Sequence, residues 1–560
     1  MDNYAIADQL SLLSKLMDVH GENTFKSKTY ASAAFTIEKL PKEINTLTKE
    51  NIFAIRGIGE SVGSKVMELL ETGEIKTVQE LLANTPEGVL DMMNVKGLGP
   101  KKIHTLWKEM KIDSIDELSK ACATNRIATQ KGFGEKTQEK IVASINFKEQ
   151  TSGSYLYAQV ESFVAAFEKK MKEAFPDDEL EVTGSYRRQL EVIERLEWVT
   201  TTPSKKLKKY LVDAGLNILS ETPDTLVADT EETLVLQFHL GNTDTWSALL
   251  FTTSCSEVFL TAFEKLEGWD SEKSYKNEKA IFKAVDLQPL PPYLREERAT
   301  IQKAKANKLP EVIQPGDVKG LIHSHSNWSD GSNTIEEMAE ALIKQGFEYL
   351  VISDHSKAAF YANGLTEQRI KEQHKYIDQL NKKLAPFKIF KSIESDILSD
   401  GSLDYPDKVL RTFDLVIGSI HSNLQMKQEK AMMRLLSAIE NPYLTILGHM
   451  TGRRLLKRPA YPVDHAAIID ACAEQGVVIE INANPQRLDM KWEWVSYALE
   501  KNLLLSINPD AHTIGEFDNI KYGVLAAQKG GLISESNLSS FGRDDLEAFI
   551  QARKKLKGIL

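Results

Sequence analysis

From residue 319 to the C-terminus, short apolar runs alternate with amphipathic stretches, and this alternation restricts the fold more than any other feature of the chain. The runs include Tyr349-Leu350-Val351-Ile352, Leu415-Val416-Ile417, Leu444-Thr445-Ile446-Leu447, Val477-Val478-Ile479-Glu480-Ile481 and Leu503-Leu504-Leu505-Ser506-Ile507. Stretches such as 334–345 and 464–474 carry apolar residues at helical spacing between them. Strands joined by helices run parallel, because only a long crossover returns the chain to the same end of a sheet. This number of repeats suits a barrel, whose functional groups gather at the C-terminal ends of its strands.

The polar residues obey that rule. Asp354-His355 follows Leu350-Val351-Ile352, Glu394 follows Ile389-Phe390, and His421 follows Ile417-Gly418-Ser419-Ile420. His449 follows Ile446-Leu447-Gly448, and Asp510 and His512 follow Ser506-Ile507-Asn508-Pro509. At the start of the region, His323 and His325 alternate with small or apolar neighbours, which points both imidazoles to one face of a strand. Asp330-Gly331 then marks a turn beyond that strand. Taken alone, the His-x-His pair fits a satisfied polar patch as well as a metal site. Of 11 histidines in the chain, six take strand-end positions. Scatter does not produce that.

The motifs His-Ser-His-Ser-Asn-Trp-Ser-Asp-Gly, Ser-Asp-His, Ile-Glu-Ser-Asp-Ile, Gly-Ser-Ile-His-Ser, Gly-His-Met-Thr-Gly-Arg and Asn-Pro-Asp-Ala-His resemble those of the PHP (polymerase and histidinol phosphatase) superfamily. The resemblance covers essentially all of residues 319–560. It implies an α/β barrel, a distorted relative of the TIM barrel. It also implies metal ligands at His323, His325, Asp330, His355, Glu394, His421, His449, Asp510 and His512. Among these, His323, His325, Glu394 and Asp510 would stand at the catalytic centre, with Glu394 bridging two ions. Nine N/O donors exceed the needs of one ion, so two or three divalent ions are implied. The donor set fits Zn, Mn or Fe and does not choose among them. Arg453 and Arg487 are candidates for gripping a substrate phosphate, or equally for surface ion pairs.

Residues 1–150 repeat a different unit. Gly57-Ile58-Gly59, Gly97-Leu98-Gly99 and Gly132-Phe133-Gly134 each open a helical pattern, with Lys65, Lys101, Lys102, Lys136 and Lys140 close behind. Glycine permits a tight turn, and a helix start leaves free N–H groups able to meet a phosphate. The units resemble helix-hairpin-helix motifs, which hold the DNA backbone without reading sequence. With the helix that carries Lys26 and Lys28, they are similar to the N-terminal part of family X DNA polymerases. Lys65 falls where many members carry a Schiff-base lysine, and a phosphate contact is an equal reading of it.

The resemblance continues over residues 151–300, an α+β nucleotidyltransferase-like palm and thumb. Gly184-Ser185-Tyr186-Arg187-Arg188 looks like the start of that palm. The family holds two Mg²⁺ ions there with an Asp-x-Asp strand and a third Asp on its neighbour. Here the matching positions carry Arg195 and Glu197, and the neighbouring run Glu232 to Leu240 has no acidic residue inside it. An arginine repels a dication, so the expectation is a palm kept in fold and lost in polymerase chemistry. Lys205, Lys206, Lys208 and Lys209 form a basic run that fits DNA contact or a solvated face. Residues 301–318 read as a linker.

The 560 residues exceed a single core. A net charge of −11 confines any DNA binding to local patches. Three dispersed cysteines, no signal-peptide pattern and no run long enough to span a bilayer suit a cytoplasmic protein without a membrane. The whole layout resembles a bacterial family X DNA polymerase with a C-terminal PHP domain. It implies metal-dependent hydrolysis of phosphoesters in gapped or nicked DNA, as 3′–5′ exonuclease, abasic-site endonuclease or 3′-phosphatase action in repair. A working gap-filling polymerase and a phosphatase of a small phosphate ester are the alternatives. Protein partners are not readable.

Overall fold

The computed structural model describes all residues except Met1, Asp2, Lys39, Pro41, Lys96, Glu232 and Leu560, and the side chains of all these but Tyr4, Glu149 and Gln150. Lys96 of the second glycine unit and Glu232 of the palm run therefore lie outside the described residues. The chain divides into two compact units, 1–152 and 153–560.

The first unit is helical. Apolar spacing buries Ile6, Leu10, Leu13, Tyr30, Ile37, Val62 and Val66 in one core, and Val89, Leu98, Ile103, Leu106, Ile127 and Ile141 in a second. Each glycine unit behaves as its residue types require. Gly57, Gly97 and Gly132 sit at φ of 96°, 98° and 91°, in the left-handed region that disfavours side chains. Three residues later a helix starts, at Glu60–Thr72, Pro100–His104 and Glu135–Thr151.

The second unit opens with a mixed five-stranded sheet. Its strands are β1 (Leu180–Thr183), β2 (Arg195–Thr200), β3 (Asn217–Glu221), β4 (Thr225–Asp229) and β5 (Val235–Leu240), in the order β1-β2-β5-β4-β3. β2 and β5 run parallel, with Arg195 opposite Val235 and Glu197 opposite Gln237. Helices 246–253, 257–263, 278–284 and 298–305 form an aromatic-rich core around Phe251, Phe259, Phe263 and Phe282. The expected linker 301–318 is packed instead. Ile301 and Ala304 belong to that core, and Ile313 is buried in the barrel's core with its N–H on the Leu532 carbonyl at 2.8 Å. Its apolar residues outweigh the charged ones around them.

The barrel strands are β6 (Gly320–Ser324), β7 (Tyr349–Ile352), β8 (Lys388–Lys391), β9 (Glu394–Asp396), β10 (Ile417–Ser419), β11 (Ile446–Leu447), β12 (Val478–Asn482) and β13 (Leu505–Asn508). All are parallel, in two sheets of order β8-β7-β6 and β9-β10-β11-β12-β13. Bridges Ser324–Ala511 and His355–Glu394 join the sheets. β8 and β9 are two halves of one kinked stave: the first pairs with β7 and the second with β10. Strand faces alternate as expected. Leu350, Ile352, Ile389, Leu447 and Ile479 meet the flanking helices through Met338, Leu342, Ile370, Leu435 and Ile468. Tyr349, Val351, Phe390, Ile417 and Val478 meet Leu546 and Ile550 of the C-terminal helix. Nearly every strand residue is buried on both faces, as a helix-covered parallel sheet demands.

Palm and barrel lie in the same unit and share ion pairs. Buried Lys529 donates to Glu296 at 2.8 Å and to the Arg188 carbonyl at 2.7 Å. Lys521 and Tyr522 both donate to Glu161.

Candidate metal centre

The strand ends bring the predicted side chains together. Glu394 is central and almost fully buried. Its Oε1 lies 3.0 Å from His449 Nε2, 3.2 Å from His421 Nε2 and 3.3 Å from His323 Nε2. Its Oε2 lies 2.9 Å from His355 Nδ1 and 3.7 Å from His325 Nε2. Asp510 Oδ1 stands 3.2 Å from His325 Nε2 and 3.5 Å from His323 Nε2. Asp330 Oδ1 stands 3.6 Å from His355 Nε2 and 3.7 Å from His512 Nε2.

Three groups among the described residues have donor atoms close enough to share an ion: His325, Asp330, His355 and His512; His323, His325 and Asp510; and His355, Glu394 and His421. The groups overlap at His325 and His355. His449 touches Glu394 and belongs to none of the three. The centre is deep at His323 and Glu394 and opens at Asp330 and His512, whose side chains are each 35% exposed.

Two details depart from the simple strand reading. The ladder slips between Leu321 and Ser324, and His323 takes φ 63°. The His-x-His pair therefore owes its common direction to a bulge and not to strict alternation, and its rings come to rest 5.4 Å apart. Asp510 also adopts a left-handed backbone, φ 52°. Such residues persist only where the surroundings over-determine them. Glu394 lies within β9, not beyond a strand, because the kink after β8 carries it into the mouth.

The residues fit divalent ions. His323 Nε2, both ring nitrogens of His325, His355 Nδ1 and Glu394 Oε2 are buried and make no hydrogen bond. Buried polar atoms are seldom left so, and these belong to the residues that make up the three overlapping donor groups, which suits Lewis-acidic ions. The electrostatics agree. Burial opposes ionisation of Glu394, yet His421, His323 and His355 hold its carboxyl well below the usual range. Burial likewise opposes ionised Asp510, and His323, His325 and Arg487 outweigh it. Burial, with His512 and His355 alongside, keeps the His325 imidazole well below its ordinary pKa. Ionised carboxylates suit a cation, but they also raise the pKa of His323, His355 and His421, the last to about 10, so an ion binding there must displace their protons.

Two supporting carboxylates escaped the sequence reading. Glu480 accepts from His323 Nδ1 at 2.6 Å, from the His449 N–H at 3.0 Å and from the side-chain amides of Asn482 and Asn508. Asp396 accepts from His421 Nδ1 at 2.9 Å. These bonds place the proton on Nδ1 and turn Nε2 into the cluster. The signal for Glu480 was available: a glutamate inside a buried parallel strand needs partners.

The two arginine candidates separate. Arg487 faces the centre, its Nε 3.4 Å from Asp510 Oδ2, with Arg454 and Arg458 close enough for their charges to oppose it. Arg453 does not. It is buried, and donates to the carbonyls of Arg487 and Leu488 and to Glu191. Its guanidinium is committed to protein, which corrects the expectation that it grips phosphate.

In the helical unit, apart from their own chain neighbours, no described residue lies within 4 Å of a Cβ placed on Gly59, Gly99, Gly132 or Gly134, so the helix starts have open space beside them. Lys101 is exposed, Lys102 reaches the Gly97 carbonyl at 3.3 Å, and Lys65 pairs with Glu68 at 2.7 Å. In the palm, Arg195 donates to Gln237 at 3.1 Å and His239 pairs with Glu197 at 2.9 Å. Arg187 is held by Glu278 and Ser254, and Arg188 by Glu296.

A parallel barrel with a histidine–carboxylate centre at its mouth, set beside a palm sheet and preceded by glycine hairpins, defines a PHP-domain protein on a polymerase-like frame. The PHP domain family matches residues 322–552, a helix-hairpin-helix domain residues 1–75, and a SAM-like helix-hairpin-helix tandem residues 89–146. The chain belongs to the family X DNA polymerases that carry a PHP domain. It is 31% identical over 562 residues to the DNA polymerase/3'-5' exonuclease PolX of Bacillus subtilis (strain 168), covering 97% of this chain and 98% of that protein. A probable phosphatase of Caldanaerobacter subterraneus subsp. tengcongensis is 27% identical over 216 residues, 35% of this chain and 78% of that protein. One of Thermoanaerobacter sp. (strain X514) is 25% identical over 250 residues, 42% of this chain and 96% of that protein. No helix among the described residues is long and apolar enough to cross a membrane.

Proposed function

We propose that this chain is a metal-dependent phosphoesterase that trims DNA 3′ ends, with His323, His325, Asp330, His355, Glu394, His421, His449, Asp510 and His512 around two or three Zn, Mn or Fe ions. The observation that carries this reading is the overlap of three donor groups through His325 and His355, with unsatisfied atoms aimed inward. When bound, such ions acidify water and withdraw charge from a phosphoryl oxygen. The chain's own residues do the rest. Glu480 and Asp396 fix ring orientation at His323 and His421. Arg487, oriented by Asp510, presents a guanidinium to the scissile phosphate, with Arg454 and Arg458 along the path of the strand. Asp330 and His512 form the open rim where the phosphate enters.

The glycine hairpins hold gapped or nicked duplex by its backbone, without sequence preference. The relative from Bacillus subtilis is named as both polymerase and exonuclease. For this chain we propose the second activity alone, because Arg195 and Gln237 stand where carboxylates would hold Mg²⁺ and the one carboxylate left, Glu197, is paired with His239. A phosphatase acting on a small phosphate ester is the second reading, favoured by the names of the two relatives described as probable phosphatases, which match 35% and 42% of this chain.

The test is metal analysis followed by a 3′-labelled gapped duplex with Mn²⁺. The expected result is chelator-sensitive release of the 3′-terminal nucleotide. Turnover of a small phosphate ester, with DNA left intact by the loaded protein, would decide for the second reading.

A further inference from the structure

The loop 356–364 is rooted on the centre. The Leu365 N–H returns to the His355 carbonyl at 2.8 Å, and Ser356 bridges Leu365. On one flank, Ala358 N–H donates to Asp404 at 2.6 Å and Lys357 N–H to the Tyr405 hydroxyl at 3.1 Å. On the other, Asn363 Nδ2 donates to the carbonyls of Trp328 and Ser329, in the loop that ends at Asp330. Arg369 in turn holds the Asn363 carbonyl at 2.7 Å. The loop thus spans two members of the same donor group, His355 and Asp330.

At its tip stands a single turn, Phe360–Ala362. Ala359 and Ala362 are buried and pin it down. Phe360 and Tyr361 are pushed outward, 85% and 58% exposed, with their rings 6.0 Å apart and near perpendicular. Isolated exposed apolar residues are ordinary, but two adjacent large aromatics on a well-anchored turn are not. The turn is tied through Asn363 to the carbonyl of Ser329, the residue before Asp330, which places it beside the open rim.

We propose that Phe360 and Tyr361 form a stacking platform for the unpaired base at the 3′ end of a DNA strand, so that the nucleotide being released is held by its base as well as by its phosphate. The proposal rests on the phosphoesterase reading above. Charge and shape choose the occupant. A strand whose phosphate sits between Asp330 and Arg487 must send its terminal base to one side, and the aromatic turn is tied to the Asp330 loop. Aromatic rings hold any base by its π-face, which suits an enzyme that trims without reading sequence. The platform also distinguishes a DNA end from a small phosphate ester, which has no base to stack.

The experiment uses the full chain with Mn²⁺ and two oligonucleotides that differ in the 3′-terminal residue, one carrying its base and one abasic. The wild type should release the base-bearing residue with a kcat/KM about tenfold higher or more, mainly through KM. Phe360→Ala with Tyr361→Ala should turn over both oligonucleotides equally, at the wild type's rate for the abasic end. Phe360→Trp should keep the discrimination. In parallel, 2-aminopurine as the terminal base should be quenched on binding the wild type and not on binding the double variant. A wild type that treats both ends alike, or a double variant that still discriminates, overturns the platform. If the loaded protein releases nothing from either oligonucleotide, the phosphoesterase reading fails, and the 2-aminopurine quench still decides whether the aromatic pair stacks a base.

Discussion

Arg453 of the barrel donates to Glu191 of the palm at 2.7 Å, and the same guanidinium holds the backbone carbonyls of Arg487 and Leu488. Both side chains are nearly buried. The pair ties the palm to the loop that carries Arg487. Glu191→Ala should leave a buried cation unpaired and cost about 3 kcal/mol of stability. It should also raise KM for a phosphoester by releasing that loop. Glu191→Gln keeps a hydrogen bond and should do less of both. Denaturant midpoints and steady-state kinetics on the two variants check this, and equal behaviour of Ala and Gln would sever the link.

Glu480 makes a second prediction. It orients His323 and satisfies the His449 N–H from inside β12. Glu480→Gln should weaken metal retention roughly 10–100-fold, as loss of such outer partners does. His323→Ala with His325→Ala should remove bound metal and activity together. Metal content after dialysis against a weak chelator measures both. Full occupancy in the double variant would dissolve the metal assignment.

For the hairpins, Gly59 and Gly99 are the informative positions. Each has negative φ, −80° and −86°, and, apart from its chain neighbours, no described residue within 4 Å of a Cβ. Alanine there should cost under about 1 kcal/mol of folding. It would nonetheless stand where a DNA phosphate must approach. Gly59→Ala with Gly99→Ala should raise the dissociation constant for gapped duplex several-fold at fixed salt, and a titration of anisotropy reads it. Unchanged affinity would mean that the helix starts do not meet DNA.

In the palm, Glu197 is paired with His239, and Arg195 with Gln237. The unaltered chain should add no nucleotide to a primed gap. Arg195→Asp with Glu197→Asp should not restore addition, because Gln237 on β5 still lacks a carboxylate. Template-directed extension by the wild type contradicts this directly.

His374 provides a pH test away from the metal centre. Its ring packs edge-on against Phe413 at 4.9 Å, with Nε2 buried and unbonded. Burial, helped by the charge of Lys391, lowers its pKa to about 4. The folded state therefore keeps the ring neutral while the unfolded chain takes a proton near pH 6.5. The stability it contributes is complete above that pH and is lost as the pH falls toward 4. By pH 5 the loss should be about 2 kcal/mol. Denaturant midpoints of the wild type should fall faster than those of His374→Phe across this window. Parallel curves would assign the acid sensitivity elsewhere.

Much of the barrel was readable because its signal is local. Apolar runs mark strands, and a histidine or carboxylate after each run marks the mouth. What could not be read was direction. Arg453 and Arg487 each follow the end of a barrel strand by five or six residues, yet one turns to the palm and the other to Asp510. That choice depends on Glu191, which lies in another fold element. The packing of 301–318 is hidden for a related reason: its charged residues surround Ile301, Ile313 and Val318, whose partners are distant in the chain. Glu480 was visible as a residue and silent as a role until His323 and His449 closed around it.

The bridge from Ser324 to Ala511, with the His325 N–H on the Ala511 carbonyl at 2.8 Å, seals the first stave of the barrel against the last. His323 and His325 stand on one side of this seam, Asp510 and His512 on the other. During synthesis the first pair emerges long before the second, and closing so large a loop is slow compared with forming any one helix. A chain cut short before Asp510 has half a seam, and its His323 and His325 meet Glu394 and Glu480 but lack the carboxylate that completes their donor group. The centre is therefore assembled at the end of folding and not used to start it, and the rate at which newly made protein captures ions should follow the rate of barrel closure.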